Sequence, residues 1–145
     1  MAYTMTVPVH ANYEIGRKQI AIDADAFKLV LLSGITYDEE THLTYTNVSG
    51  FEIAGTFGYT TGGLALARGA NTYTKNYTDN QVEMAYDNHD IVASGGDIGP
   101  FQDVCIVHSV SGVIMGHFRR GTAKIVADGE TYTLSGILMI LGRVI

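Results

Sequence analysis

Asp103-Val104-Cys105-Ile106-Val107-His108, then Ser109-Val110-Ser111-Gly112, then Val113-Ile114-Met115-Gly116-His117-Phe118 decides the fold. Two β-branched, apolar runs of six residues flank four turn-forming ones. Each run is too short for a stable helix and rich in strand formers, so the stretch reads as a β-hairpin. The pattern continues on both sides. Downstream, Thr122–Val126 forms a short strand. Asp128-Gly129 is a tight-turn signal leading into a strand over Glu130–Leu134. Ile137–Ile145 closes the chain as an apolar strand. Its weak alternation over Ile137–Leu141 predicts cover on both faces, and Gly142-Arg143 breaks the run before Val144-Ile145. That final segment is expected to present a free edge for a neighbouring molecule to cover.

Upstream, Ser94-Gly95-Gly96-Asp97-Ile98-Gly99-Pro100 is a glycine-rich loop. Gln81–Tyr86 alternates as a half-buried strand does. With the Tyr/Thr run Asn71–Thr78 and the turn Thr78-Asp79-Asn80 it predicts a second hairpin. Leu64-Ala65-Leu66 is a brief strand. Phe27-Lys28-Leu29-Val30-Leu31-Leu32 is almost wholly apolar, which predicts burial on both faces. It is the first strand the pattern marks firmly. Between Ser33-Gly34 and Phe51, the acidic start of Tyr37-Asp38-Glu39-Glu40-Thr41-His42-Leu43 admits one brief helix. The fold class is therefore mainly β: a single-domain antiparallel β-sandwich or flattened barrel over residues 1–145, with at most short helices.

Composition agrees. The 145 residues suit one domain, charged residues make up 17%, and glycine is unusually frequent at 17 residues. The net charge of −6 and nine scattered Lys and Arg, adjacent only at Arg17-Lys18 and Arg119-Arg120, argue against nucleic acid and anionic membranes as partners. No apolar stretch approaches the ~20 residues of a membrane-spanning helix. No secretory signal is evident in Met1-Ala2-Tyr3-Thr4-Met5. The single cysteine, Cys105, excludes an internal disulfide and reads as a buried small hydrophobe.

Candidate chemistry is sparse. His10, His42, His89, His108 and His117 form no metalloprotease spacing. His108 and His117 sit across the predicted turn and read as a cross-strand polar pair, since zinc would need a further ligand from elsewhere. Asp87-Asn88-His89-Asp90 gathers oxygen donors but lacks the spacing of a calcium loop, and reads as a turn. Gly55–Gly63 lacks the Lys-Ser/Thr ending of a phosphate loop, so its glycines, Gly62 and Gly63 above all, are expected to serve positive φ and close packing. Nine tyrosines without tryptophan give a hydrogen-bonding, weakly charged surface suited to protein contacts, or simply good strands. No catalytic, cofactor-binding or metal-ligating residue and no cofactor is expected.

One segment carries a resemblance. Ile22-Asp23-Ala24-Asp25-Ala26-Phe27-Lys28-Leu29-Val30-Leu31-Leu32-Ser33 is similar to an Asp-rich turn and strand recurring in small virion proteins of tailed bacteriophages. Asp38, His42, Val48-Ser49-Gly50, Glu52-Ile53, Gly55-Thr56 and Gly58-Tyr59-Thr60-Thr61-Gly62-Gly63-Leu64 continue the pattern in order. Further matches are looser: Met84-Ala85-Tyr86-Asp87, Val104–Val107 and Gly116-His117-Phe118. Phe57 intrudes between Thr56 and Gly58. A tryptophan common in the family is missing near Ile91-Val92. The resemblance implies a non-enzymatic capsid decoration (cement) protein, binding the major capsid protein as a homo-oligomer on the virion surface after synthesis in the bacterial cytoplasm. A tail, baseplate or fibre-associated virion protein is the alternative, and a glycan-binding β-sandwich or an enzyme stands behind these.

Overall fold

A computed structural model describes residues 2–68 and 73–141. The first two elements are ones the sequence reading did not mark. Strand β1 (Ala2–Thr6) alternates exposed and buried residues, and helix α1 (Val9–Gly16) follows Pro8. Strand β2 (Phe27–Leu32) falls where its apolar run predicts. A short helix α2 (Tyr45–Val48) and a 3-10 turn (Ser49–Phe51) come next. Then come β3 (Leu64–Ala65), β4 (Tyr73–Asn76), β5 (Gln81–Ala85), β6 (His89–Val92), β7 (Ile98–His108), β8 (Ile114–Val126) and β9 (Thr131–Leu141).

The strands make two sheets. One runs β3-β2-β7-β8; the other runs β1-β9-β5-β4, with β6 also on β9. Among the described residues all strand pairings are antiparallel except β1 with β9, which is parallel, for example Thr4 beside Leu138. The sandwich is thus mainly β, with only short helices. Both predicted hairpins form, β4–β5 and β7–β8. Asn80, in left-handed conformation at φ 56, closes the first.

Three boundaries differ from the sequence reading. Residues 114–118 and 122–126 belong to one strand, β8, because Arg119 still pairs with Asp103 and the ladder with β7 resumes, after a register shift, at Lys124 opposite Phe101. Residues 130–134 and 137–141 likewise join in β9, which runs through Gly136 at φ +61. The Asp128-Gly129 turn forms but hands the chain from one sheet to the other, since β8 pairs with β7 and β9 with β5, β6 and β1. Tyr37–Leu43 carries no helix; the helical turn lies just beyond it, at α2.

The described part of the apolar C-terminal run, residues 137–141, is no edge. β9 is paired on both sides, by β1 and by β5. Ile137, Met139 and Leu141 enter the core, while Leu138 and Ile140 are only half-buried, so one face is fully covered rather than two. Expectations for Val144 and Ile145, and for Asn71 and Thr72, lie outside the described residues.

The main core fills the space between the sheets, with Phe27, Leu29, Leu31, Phe101, Ile106 and Met139 among its members. A smaller one lies on the opposite face of the β3-β2-β7-β8 sheet: Val30, Leu32, Ile35, Val48, Cys105, Val107 and Ile114. It is roofed by residues 33–53, a strap that leaves β2 at Leu32 and returns to it. Its ends are tied by the Ser33 N–H donating to the Phe51 carbonyl at 2.8 Å and by a bridge between Leu32 and Glu52. Midway it reaches the hairpin end of β8, where the Ile114 N–H donates to the Leu43 carbonyl. β2 is therefore covered on both faces, as its composition predicts.

Candidate functional site

Three polar clusters and one groove could carry function. The first is the Ser109–Gly112 turn between β7 and β8. His108 ends β7 and is 3% exposed, packed against the Phe27 ring. Its Nε2 lies 2.8 Å from Asp25 Oδ2, and its Nδ1 lies 2.7 Å from the Oγ of Ser111, an exposed residue. The Ser111 backbone N–H donates to Nδ1 as well, at 3.2 Å. Nδ1 is therefore an acceptor in the neutral ring, and the proton sits on Nε2, directed at Asp25. The Asp25 carboxyl also accepts the Ala21 N–H, and these bonds hold it below the usual carboxylate range. Donation runs from Ser111 through His108 to the Asp25 carboxylate, which accepts.

The second cluster lies under the strap. Asp103 is wholly buried on β7; its Oδ2 is 2.6 Å from His117 Nε2 and its Oδ1 accepts from Arg119 Nη1 at 2.9 Å. Strand pairing explains it: Asp103 is opposite Arg119, and Cys105 opposite His117, so these side chains share the strap-side face. Tyr37 from the strap stacks on His117 at 4.1 Å and on His42 at 5.7 Å. Burial pushes the His117 imidazole down, outweighing the Asp103 bond that raises it. Burial pushes the Tyr37 hydroxyl up.

The third cluster centres on Glu52 at the far end of the strap. Its carboxylate accepts from Tyr45 at 2.5 Å, Tyr59 at 2.6 Å and the Gly62 N–H at 3.0 Å. The Tyr59 oxygen in turn accepts the Leu31 N–H at 3.1 Å. Burial, then the Glu52 bond, raises the Tyr45 hydroxyl to about 12. Gly62 and Gly63 both have positive φ, and a Cβ on Gly63 would come within 2.8 Å of the Leu29 carbonyl oxygen. Phe57 takes a left-handed conformation at φ 60 and lays its ring over Gly95 and Gly96, where a Gly96 Cβ would meet it at 2.7 Å. The residue that interrupts the motif is thus accommodated by the glycine-rich loop.

Other sequence candidates do not converge. His108 and His117 are not a cross-strand pair: a register shift beyond Ile106 separates them, and each binds a different aspartate. His89 pairs with Leu134 in the sheet. Of the 87–90 stretch, only residues 89–90 enter a strand, with Thr133 donating to Asp90. Among the described residues no three His, Cys, Asp or Glu side chains gather as a metal site would require. Cys105 is buried, and desolvation raises its thiol. The adjacent Arg119 and Arg120 point to opposite faces. Arg120 enters the main core, 2.6 Å from the Tyr3 hydroxyl and 2.5 Å from that of Tyr132. The tyrosines do not form one face: Tyr3, Tyr59 and Tyr86 are buried, while Tyr13, Tyr73 and Tyr77 are exposed.

A shallow open groove of about 440 Å³ is lined by Val9, His10 and Tyr13 of α1 and by Glu39, Glu40 and Leu43 of the strap. It holds none of the three clusters. Sequence reasoning missed α1 because Val9–Gly16 buries little more than Ala11, which leaves no apolar period to detect. Comparison with protein-family models, curated proteins and solved structures finds no match to the chain.

Proposed function

We propose that the chain is a bacteriophage structural protein, a non-enzymatic capsid decoration protein that attaches to the major capsid protein as repeated copies on the virion surface. One observation carries the reading. Several residues of the virion-protein pattern bind one another. Glu52 holds Tyr59 and Gly62, Gly63 packs against β2, and the Asp38 N–H donates to His42 Nδ1. A motif spent on self-bonding secures a shape, which is what a part added to a preformed shell requires.

The surface suits the same role. Val9, Tyr13, Tyr77 and Val110 are large and between 59% and 91% exposed, on a body with few charges. The purified protein, added to phage heads that lack it and separately to isolated tails, tests the reading by cosedimentation and particle imaging. Saturable binding repeated over the head lattice is the expected result. Binding to tails alone would move the protein to the tail, and binding to neither would overturn the virion role.

A further inference from the structure

At the turn between β7 and β8 a hydroxyl and an imidazole meet a carboxylate from the segment before β2, and the proposed function uses none of them. Ser111 is an exposed residue whose Oγ lies 2.7 Å from His108 Nδ1; His108 Nε2 is 2.8 Å from Asp25 Oδ2. The Ser111 N–H and the Ser111 hydroxyl share the one Nδ1 lone pair, which fixes the tautomer with the proton on Nε2. Phe27 on one side and near-complete burial hold the ring in place. A nucleophile within hydrogen-bond reach of a base, itself oriented by a third group, is the arrangement that activates serine.

From this geometry we infer that Ser111 is a site of covalent acylation. With an activated ester, Ser111 Oγ attacks the carbonyl carbon and its proton passes to His108 Nδ1. The His108 Nε2–H stays on Asp25, which stabilises the imidazolium. The alkoxide or phenolate leaves with the electron pair of the broken C–O bond, and His108 returns its proton to solvent. The product is an O-acyl ester on Ser111. The groove lies among other residues, and the Val113 N–H, 3.3 Å from Ser111 Oγ, points at the nucleophile rather than at a developing oxyanion. The reaction is therefore stoichiometric: the ester accumulates without turnover.

Ser109 is the internal control, two residues away on the same turn and without the imidazole contact. Folded protein is treated with p-nitrophenyl acetate, and acetylated serines are located by peptide fragmentation. Ser111 should acetylate about tenfold faster than Ser109 or more, within the range a positioned base supplies, and the preference should vanish in urea. Asp25→Ala, with folding checked by circular dichroism, should lower the Ser111 rate by a similar factor. Equal labelling of Ser109 and Ser111 in the folded protein, or a preference that survives urea, would overturn the inference. A folded Asp25→Ala protein that labels at the wild-type rate would overturn the role of the carboxylate.

Discussion

The two faces of the β3-β2-β7-β8 sheet are held by different physics. The inner face meets a whole second sheet, and apart from Arg120, which reaches the Tyr3 and Tyr132 hydroxyls, its residues meet partners far away in sequence through apolar surface, with Phe101, Leu29 and Ile106 fully buried. The outer face meets only the strap. Its smaller core is closed by directional bonds at both ends: Asp103 with His117 and Arg119 at one, Glu52 with two tyrosines and a glycine amide at the other. Apolar burial is indifferent to pH and tolerant of geometry. Hydrogen-bonded carboxylates are neither, so the strap should be the region that conditions loosen first.

Substitutions sharpen that contrast. Phe101→Ala removes a fully buried ring from the inner face and should cost about 3–5 kcal/mol in denaturant unfolding. Tyr59→Phe keeps the ring but deletes the hydroxyl that serves Glu52 and leaves the Leu31 N–H without an acceptor. It should cost about 1–3 kcal/mol, and protease cleavage within residues 33–53 should rise before global unfolding.

Acid should also act on the strap. The folded state holds His117 below its ordinary 6.5, so below that pH the unfolded chain takes up a proton the folded protein resists. The His117 contribution is complete above pH 6.5 and is lost as pH falls through the folded value. Its slope is at most about 1.4 kcal/mol per pH unit. His117→Gln should flatten this part of the pH–stability curve; an unchanged curve would break the assignment. The smallest effect is expected at Gly62, whose added Cβ would meet open space: Gly62→Ala should cost about 1 kcal/mol through positive φ alone. Gly63→Ala should exceed it, because there the Cβ also strikes the Leu29 carbonyl. Equal melting temperatures for the two would refute that distinction.

The inner face was partly legible in the sequence and the outer one barely. Phe27–Leu32 announced burial on both faces because every residue but Lys28 is apolar, but nothing local said that the second cover would be a strap. The hairpins were legible because turn and flanking strands are contiguous. β1 was not: Tyr3 and Met5 alternate correctly, yet five residues without turn signals give too little pattern, and their partner is β9. The Asp25–His108–Ser111 chain escaped for a similar reason. Ser111 and His108 are neighbours in sequence, but the aspartate that orients them lies just before β2, where Phe27 pairs with His108, 83 residues away along the chain.

The parallel pairing of β1 with β9 has a consequence for how the molecule is made. β1 is the first described element to be synthesised and β9 the last, and Thr4 comes to rest beside Leu138. Throughout translation β1 has exposed backbone donors and acceptors and no partner, while the β2–β7–β8 side can already close through shorter loops. Contacts so distant in sequence form slowly, because loop closure must precede their reward. β9 therefore serves as a fastener for the second sheet, drawing in β1, the first of the described strands, and a chain cut short before residue 131 would have one finished sheet and a loose β1.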